Sequence, residues 1–280
     1  MQERHSAVPR QRRLPSRQAI KLVVYLLLLV NFTVYVTNDW TVATHTMRPD
    51  WSLLQWARAF ATTLDELAWF ALLMLFELET YLLEDESFTR ARVAVMHGLR
   101  IACFLFIAHT VYAFADYALD LQGESPVPAD TLCRFTDAGV SYARNLTYTP
   151  VDAGNCDALS EGDTFYRFQS DTLVTDAVGM RIERELAWVD VAEVIAWLFI
   201  LVLIELQVRL QDRGITGGRV LRTARWSKAA LYALLWCAAA YWLYRGHWVF
   251  AWDEALWILG FMAIDMNMEE WRDEIVEARA

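Results

Sequence analysis

Apolar side chains gather into six long stretches, at residues 21–37, 67–83, 93–117, 188–208, 228–244 and 255–268, separated by charged and turn-forming segments. A bilayer core of about 30 Å needs about 20 mostly apolar helical residues to cross it, so each stretch predicts a transmembrane helix. The sixth is the shortest and reaches full length only if it starts near Trp248 and Phe250. Residues 50–63 place Trp51, Leu54, Trp56 and Phe60 among polar neighbours, which predicts an amphipathic helix on the membrane surface or an extension of the second span.

Charge then orients the spans. Short cytoplasmic loops collect Lys and Arg. The N-terminal tail holds Arg4, Arg10, Arg12, Arg13 and Arg17, the loop before span three holds Arg90 and Arg92, and the loop after span four holds Arg209, Arg213, Arg219, Arg222 and Arg225. All three fall on one side of a six-span chain, so both termini are expected in the cytoplasm. The one long loop, 119–187, then faces outward and holds Cys133 and Cys156, which an oxidising compartment would pair. The first stretch has the basic start of a signal peptide but no small-residue cleavage site after it, so it reads as an anchor. Of 25 basic residues only Lys21 and Lys228 are lysine, a bias that suggests a GC-rich bacterial genome and an inner (plasma) membrane. The Asn145-Leu-Thr147 sequon would then be idle.

The even spans repeat. Asp65 is followed by Trp69, Glu77 and Glu79; Glu193 by Trp197, Glu205 and Gln207; Asp253 by Trp257, Asp265 and Asn267, at identical spacing. The odd spans carry a weaker echo in Lys21, Tyr25 and Tyr35; Arg100, Phe104 and Phe114; and Lys228, Tyr232 and Trp242. The expected fold is therefore an all-α membrane bundle of three pseudo-repeated hairpins, with an external loop domain inserted in the second. In chain order it comprises a basic tail (1–20), hairpin one (21–91), hairpin two (92–118 and 188–214) around the disulfide-containing loop (119–187), hairpin three (215–268) and an acidic tail (269–280).

Carboxylates inside a span cost roughly 2.5–3.5 kcal/mol each by insertion scales and mark functional positions by default. Asp65, Glu193 and Asp253 lie at the outer interface and read as an outer vestibule. Twelve residues further, about 18 Å along a helix, Glu77, Glu205 and Asp265 form an expected inner-half acidic ring, with Glu79, Gln207 and Asn267 as companions on another face of each helix. Lys21, Arg100 and Lys228 start at a comparable depth. They are the expected charge partners, Lys21 for Glu77 or Glu79, Arg100 for Glu205 and Lys228 for Asp265.

Composition narrows the function. A chain that is 56% hydrophobic with a net charge of −10 is neither an ordinary soluble protein nor a nucleic-acid binder. Trp40, Trp51, Trp56, Trp188, Trp242, Trp248 and Trp252 read as an interfacial belt. His97 and His109 are isolated, Cys103 and Cys237 fall inside spans, and no metal, cofactor or catalytic constellation is expected. Arg219, Arg222, Arg225 and Lys228 have voltage-sensor spacing but precede the apolar stretch, so they read as cytoplasmic anchors. The charge pattern favours an ion channel or transporter for cations or protons over an enzyme. One alternative is a scaffold or regulatory subunit whose external loop binds a protein partner; a second is a lipid-binding protein or membrane enzyme. Oligomeric assembly stays open.

Overall fold

A computed structural model describes residues 15–48, 50–78, 89–162 and 164–277. Of the described residues 74% are helical. Six long helices dominate: α1 (Pro15–Thr46), α3 (Ala61–Glu77), α4 (Arg90–Gly123), α6 (Ala177–Asp212), α7 (Arg219–Tyr244) and α8 (Trp248–Glu277). Short α2 (Leu53–Ala59) and α5 (Cys156–Leu159) interrupt the connections. Around the bundle α1 packs on α3, α3 on α4, α4 on α6, α6 on α7, α7 on α8 and α8 back on α1, while α6 also meets α8.

Among the described residues three helices, not the expected six, are long and apolar enough to cross a membrane: Leu22–Thr46, Arg90–Gly123 and Ala177–Gln211. The other three fall short for identifiable reasons. α3 runs for 17 residues, α7 opens with four basic residues and is then rich in Ala, Trp and Tyr, and α8 carries Asp253, Glu254 and Asp265 within its apolar stretch.

Helix ends follow local chemistry. Thr89 caps α4 by accepting from the Arg92 amide, and Ser52 forms a reciprocal capping box with Gln55 at α2, so the 50–63 segment is a short helix that breaks at Phe60 before α3. Asp176 caps α6, its Oδ1 accepting from the Gly179 amide at 2.6 Å. A Cβ on Gly179 would stand 1.9 Å from Thr175 Oγ1, so this strand-to-helix junction needs glycine. Both α4 and α6 extend beyond the expected spans, which shortens the long loop to residues 124–176.

Besides the short α5, that loop is built on strands, which corrects the all-α expectation. It forms a five-stranded sheet in the order β1 (Pro126–Val127), β4 (Phe165–Phe168), β5 (Leu173–Asp176), β2 (Ser141–Arg144), β3 (Thr147–Pro150), with only β2 and β5 parallel. The strands are rich in Tyr, Phe, Thr and Val, which suit a half-buried pleat. β2 and β3 are joined by Asn145 and Leu146, both at positive φ (52° and 60°), the left-handed pair that a tight type I′ hairpin demands. One side of the sheet domain packs Ala143, Phe168 and Leu173 on Leu121 of α4 and Met180 and Ala187 of α6. The other buries Leu132, Val140, Tyr142, Phe165 and Val174 beside the Cys133–Cys156 disulfide. Cys103 is buried in α4 and Cys237 exposed on α7.

Candidate functional site: an acidic cavity at the sheet end of the bundle

Beneath the sheet, the helices line a cavity of about 350 Å³. Its wall takes Asp39 from α1, Asp65 and Glu66 from α3, Asp190 and Glu193 from α6, and Asp253 and Glu254 from α8. None of the described wall residues is Lys or Arg. Tyr35, Phe114 and Trp242 close the sides, and Trp69, Trp197 and Trp257 converge with Phe261. Trp69 lies 6.2 Å from Trp197, 6.1 Å from Trp257 and 5.8 Å from Phe261 between ring centres.

The carboxylates are held by neutral donors. Asn31 Nδ2 donates to Asp253 Oδ1 at 2.6 Å and the Tyr35 hydroxyl to Asp253 Oδ2 at 3.1 Å. Trp197 Nε1 shares its proton between both oxygens of Glu254 at 3.2 Å, and Trp242 Nε1 donates to Glu193 Oε1 at 2.9 Å. Asp39 Oδ2 accepts from the Thr63 amide at 2.8 Å and hydroxyl at 2.7 Å. Thr110 and Trp69 sit against Asp65, and Trp257 against Glu66. A donor of this kind fixes a carboxylate's position and leaves its charge in place. An acidic cavity without fixed cations is neutralised by protons or by a bound cation.

A second cavity of about 390 Å³ lies between α2, α4, α6 and the sheet domain. The two cavities share Val42, Thr62, Phe114, Leu146, Tyr148 and Asp190. Its charged wall residues are Arg58, Asp120, Glu124, Glu183 and Asp190, and Arg58 is ion-paired with Asp116 and lies 3.8 Å from Asp120. Burial, reinforced by Asp171 and Asp120 and opposed by Arg184, raises the Glu124 carboxyl above its ordinary range.

The β2–β3 hairpin tip stands at the boundary. Asn145 Nδ2 donates to the Arg245 carbonyl at 3.0 Å, so the Asn145 oxygen is free to accept, and His247 Nε2 faces it at 3.3 Å. Burial and the adjacent Arg245 push the His247 imidazole pKa down, which leaves a neutral ring with its Nε2–H donating. The sequon asparagine is thereby committed to packing contacts. At the same surface His45 of α1 hydrogen-bonds Ser141 at 2.8 Å and stacks on Tyr148.

The structure brings the vestibule residues Asp65, Glu193 and Asp253 into one wall. It treats the deeper positions differently. Lys228, 5% exposed, is ion-paired with Asp265, which also accepts from Tyr232 at 2.9 Å. Glu205 is exposed and pairs with Arg209 of its own helix at 2.7 Å. Gln207 is buried, and its Oε1 has no partner among the described residues. Arg100 is half-buried in α4, Lys21, Glu77 and Asn267 belong to α1, α3 and α8, and Glu79 lies outside the described residues. Trp242 departs from the expected belt, being 4% exposed in the cavity wall, whereas Trp40, Trp56, Trp188, Trp248 and Trp252 are exposed.

Four wall acids escape the sequence reading. Glu66 and Glu254 directly follow Asp65 and Asp253, and such acidic doublets in apolar stretches are a usable signal. Asp39 and Asp190 have no comparable local mark. No protein-family model, curated protein or solved structure matches this chain.

Proposed function

We propose that this chain is an integral membrane protein that moves cations or protons, with the acidic cavity as its ion-binding chamber. The observation that carries the reading is the wall of seven carboxylates, on four helices, with no Lys or Arg among the described wall residues. Structural ion pairs would bring bases to these acids, as Lys228 does for Asp265. Here the donors are indoles, hydroxyls, an amide side chain and a backbone amide, which orient charge without cancelling it. The chamber sits near the sheet rather than at the deeper level of Glu77, Glu205 and Asp265.

A pseudo-threefold origin of the chamber is supported by nine equivalent positions in its wall: Asp65, Glu193 and Asp253; Trp69, Trp197 and Trp257; Tyr35, Phe114 and Trp242. In this reading all six long helices cross the membrane, α3 packing on α1 and α4, and α7 on α6 and α8. The sheet domain faces the oxidising side, as its disulfide suits, and the arginine-rich α6–α7 connection faces the cytoplasm. A bacterial inner membrane fits that arrangement.

Proteoliposome flux tests the proposal. Wild-type protein is expected to dissipate an imposed proton or potassium gradient, and the combined Asp65→Asn, Glu193→Gln, Asp253→Asn variant to lose that activity while remaining folded. Glu205→Gln, which alters an exposed pair, is expected to retain it. Undiminished flux in the triple variant, or none in the wild type under any monovalent-cation or proton gradient, would rule the transport reading out.

A further inference from the structure

Glu183 supplies an observation that the acidic chamber alone does not. It is 3% exposed, lines the second cavity and lies seven residues before Asp190 on α6. Backbone amides of Asn145 and Leu146 hold its carboxylate, yet its Oε1 has no hydrogen-bond partner among the described residues. A buried acceptor left unmatched is costly and asks for a donor. Asp190 belongs to both cavities, as do Phe114 and Tyr148, and Tyr117 stands in the second.

The chemistry of the missing donor follows from how the acids are spread. A dehydrated metal ion needs several ligand atoms converging on one point. Among the described residues, Cys133, Cys156 and Asp157 are the one set of three candidate ligand atoms within 4.8 Å of one another. That set surrounds the disulfide and lines neither cavity. Carboxylates distributed around aromatic walls instead suit a ligand with N–H donors on a carbon body, because ring faces attract organic cations and carboxylates accept their N–H groups.

Resting on the cation-pathway reading and naming its substrate class, we infer that the junction of the two cavities binds a small organic cation with a primary ammonium group. The ammonium donates to Glu183 Oε1 and Asp190, and its carbon chain packs against Tyr117, Tyr148 and Phe114. Together the cavities are large enough for a compact ligand of this kind.

Isothermal titration of the full-length, detergent-solubilised protein tests this with three probes: 1,4-diaminobutane, tetramethylammonium and calcium. Diaminobutane is expected to bind saturably, and tetramethylammonium, which has no N–H, about tenfold or more weakly, the scale of one charge-assisted hydrogen bond. Glu183→Gln is expected to weaken diaminobutane by a similar factor. Because that variant also touches the hairpin, Asp190→Asn, which leaves the hairpin contacts alone, provides the second measurement and is expected to weaken binding in the same direction. Calcium binding without diaminobutane binding overturns the inference, as does equal diaminobutane affinity in the wild type and both variants. Flux that depends on Asp65, Glu193 and Asp253 survives either failure, so loss of the substrate class is distinguishable from loss of the transport reading.

Discussion

Away from the sheet, Asp265 is met by the buried Lys228 and by Tyr232, and Glu205 by Arg209. Under the sheet, Asp65, Glu193 and Asp253, which precede those positions at the same spacing, share a wall with four further acids and only neutral donors. The two levels therefore use one residue type for opposite ends. The Asp265 carboxylate, beside the buried Lys228, is spent on holding α8 against α7, because neither charge can leave its partner without a large desolvation cost; the exposed Glu205–Arg209 pair within α6 contributes little. Under the proposed function, a carboxylate beside an indole or hydroxyl keeps its charge available for a cation that arrives and departs.

The largest expected effect tests the paired level. Lys228→Met leaves Asp265 a part-buried acid with Tyr232 as its described hydrogen-bond donor, and should destabilise the protein by about 3 kcal/mol. Adding Asp265→Leu should restore most of the loss, because two apolar side chains need no counter-charge. Thermal unfolding in detergent measures both. If Lys228→Met melts with the wild type, the pair is not structural and the contrast between levels collapses.

Next in size is the cover above the cavity. The Cys133–Cys156 bond ties the short turn at Leu132–Phe135 to α5 across a sequence separation of 23. Replacing both with Ser should cost about 2–4 kcal/mol. Because the disulfide lies in the sheet domain's own core, on the side away from α4 and α6, limited proteolysis of the variant should cut residues 124–176 well before the helices. Uniform proteolysis of both regions would show the two as a single cooperative unit.

The cavity level should respond with the opposite sign. Asp65→Asn removes one of several like charges and keeps a hydrogen-bonding side chain, so the melting temperature should rise, by about 1 kcal/mol in stability. Flux should fall in the same variant. A stabilised but inactive protein is the signature of a functional acid held against its own repulsion; a destabilised one would place Asp65 with the structural acids.

How far these levels are legible in sequence depends on what each requires. The acid-to-Trp spacing reaches Asp65, Glu193 and Asp253 and their tryptophans, because a helix converts fixed spacing into a fixed face. It does not reach Asp39 and Asp190, which join the wall only when α1 and α6 meet α3 and α8. Depth along a span draws attention to Glu77, Glu205 and Asp265, since desolvation cost rises with depth. Depth alone ignores partners: Lys228 satisfies Asp265, while the shallower acids gain no Lys or Arg among the described wall residues. The sheet is readable in hindsight from the Tyr, Thr and Phe alternation at 141–150 and 165–176, but strands of four residues give too short a period to stand out against the helical stretches. The same brevity hides the hairpin tip, whose Asn145-Leu146 turn lacks the usual glycine.

The smallest effect sharpens the cavity's boundary. Among the described wall residues His247 is the one that can become a cation, and its pKa is lowered from 6.5 first by burial and then by Arg245. Well above pH 6.5 the ring is neutral in both folded and unfolded chains, so its contribution to stability is fully present. As pH falls, the unfolded chain takes up the proton first, and stability is lost until the folded ring also protonates. His247→Gln keeps a donor toward Asn145 and removes that titration. Because the variant also loses the ring contacts to Phe250 and Trp242, the two melting curves should differ by a constant offset well above pH 6.5 and converge as pH falls below it, with the wild type falling more steeply. Parallel curves would mean that His247 is as exposed to protons in the folded chain as in the unfolded one, and that the hairpin tip does not seal this side of the chamber.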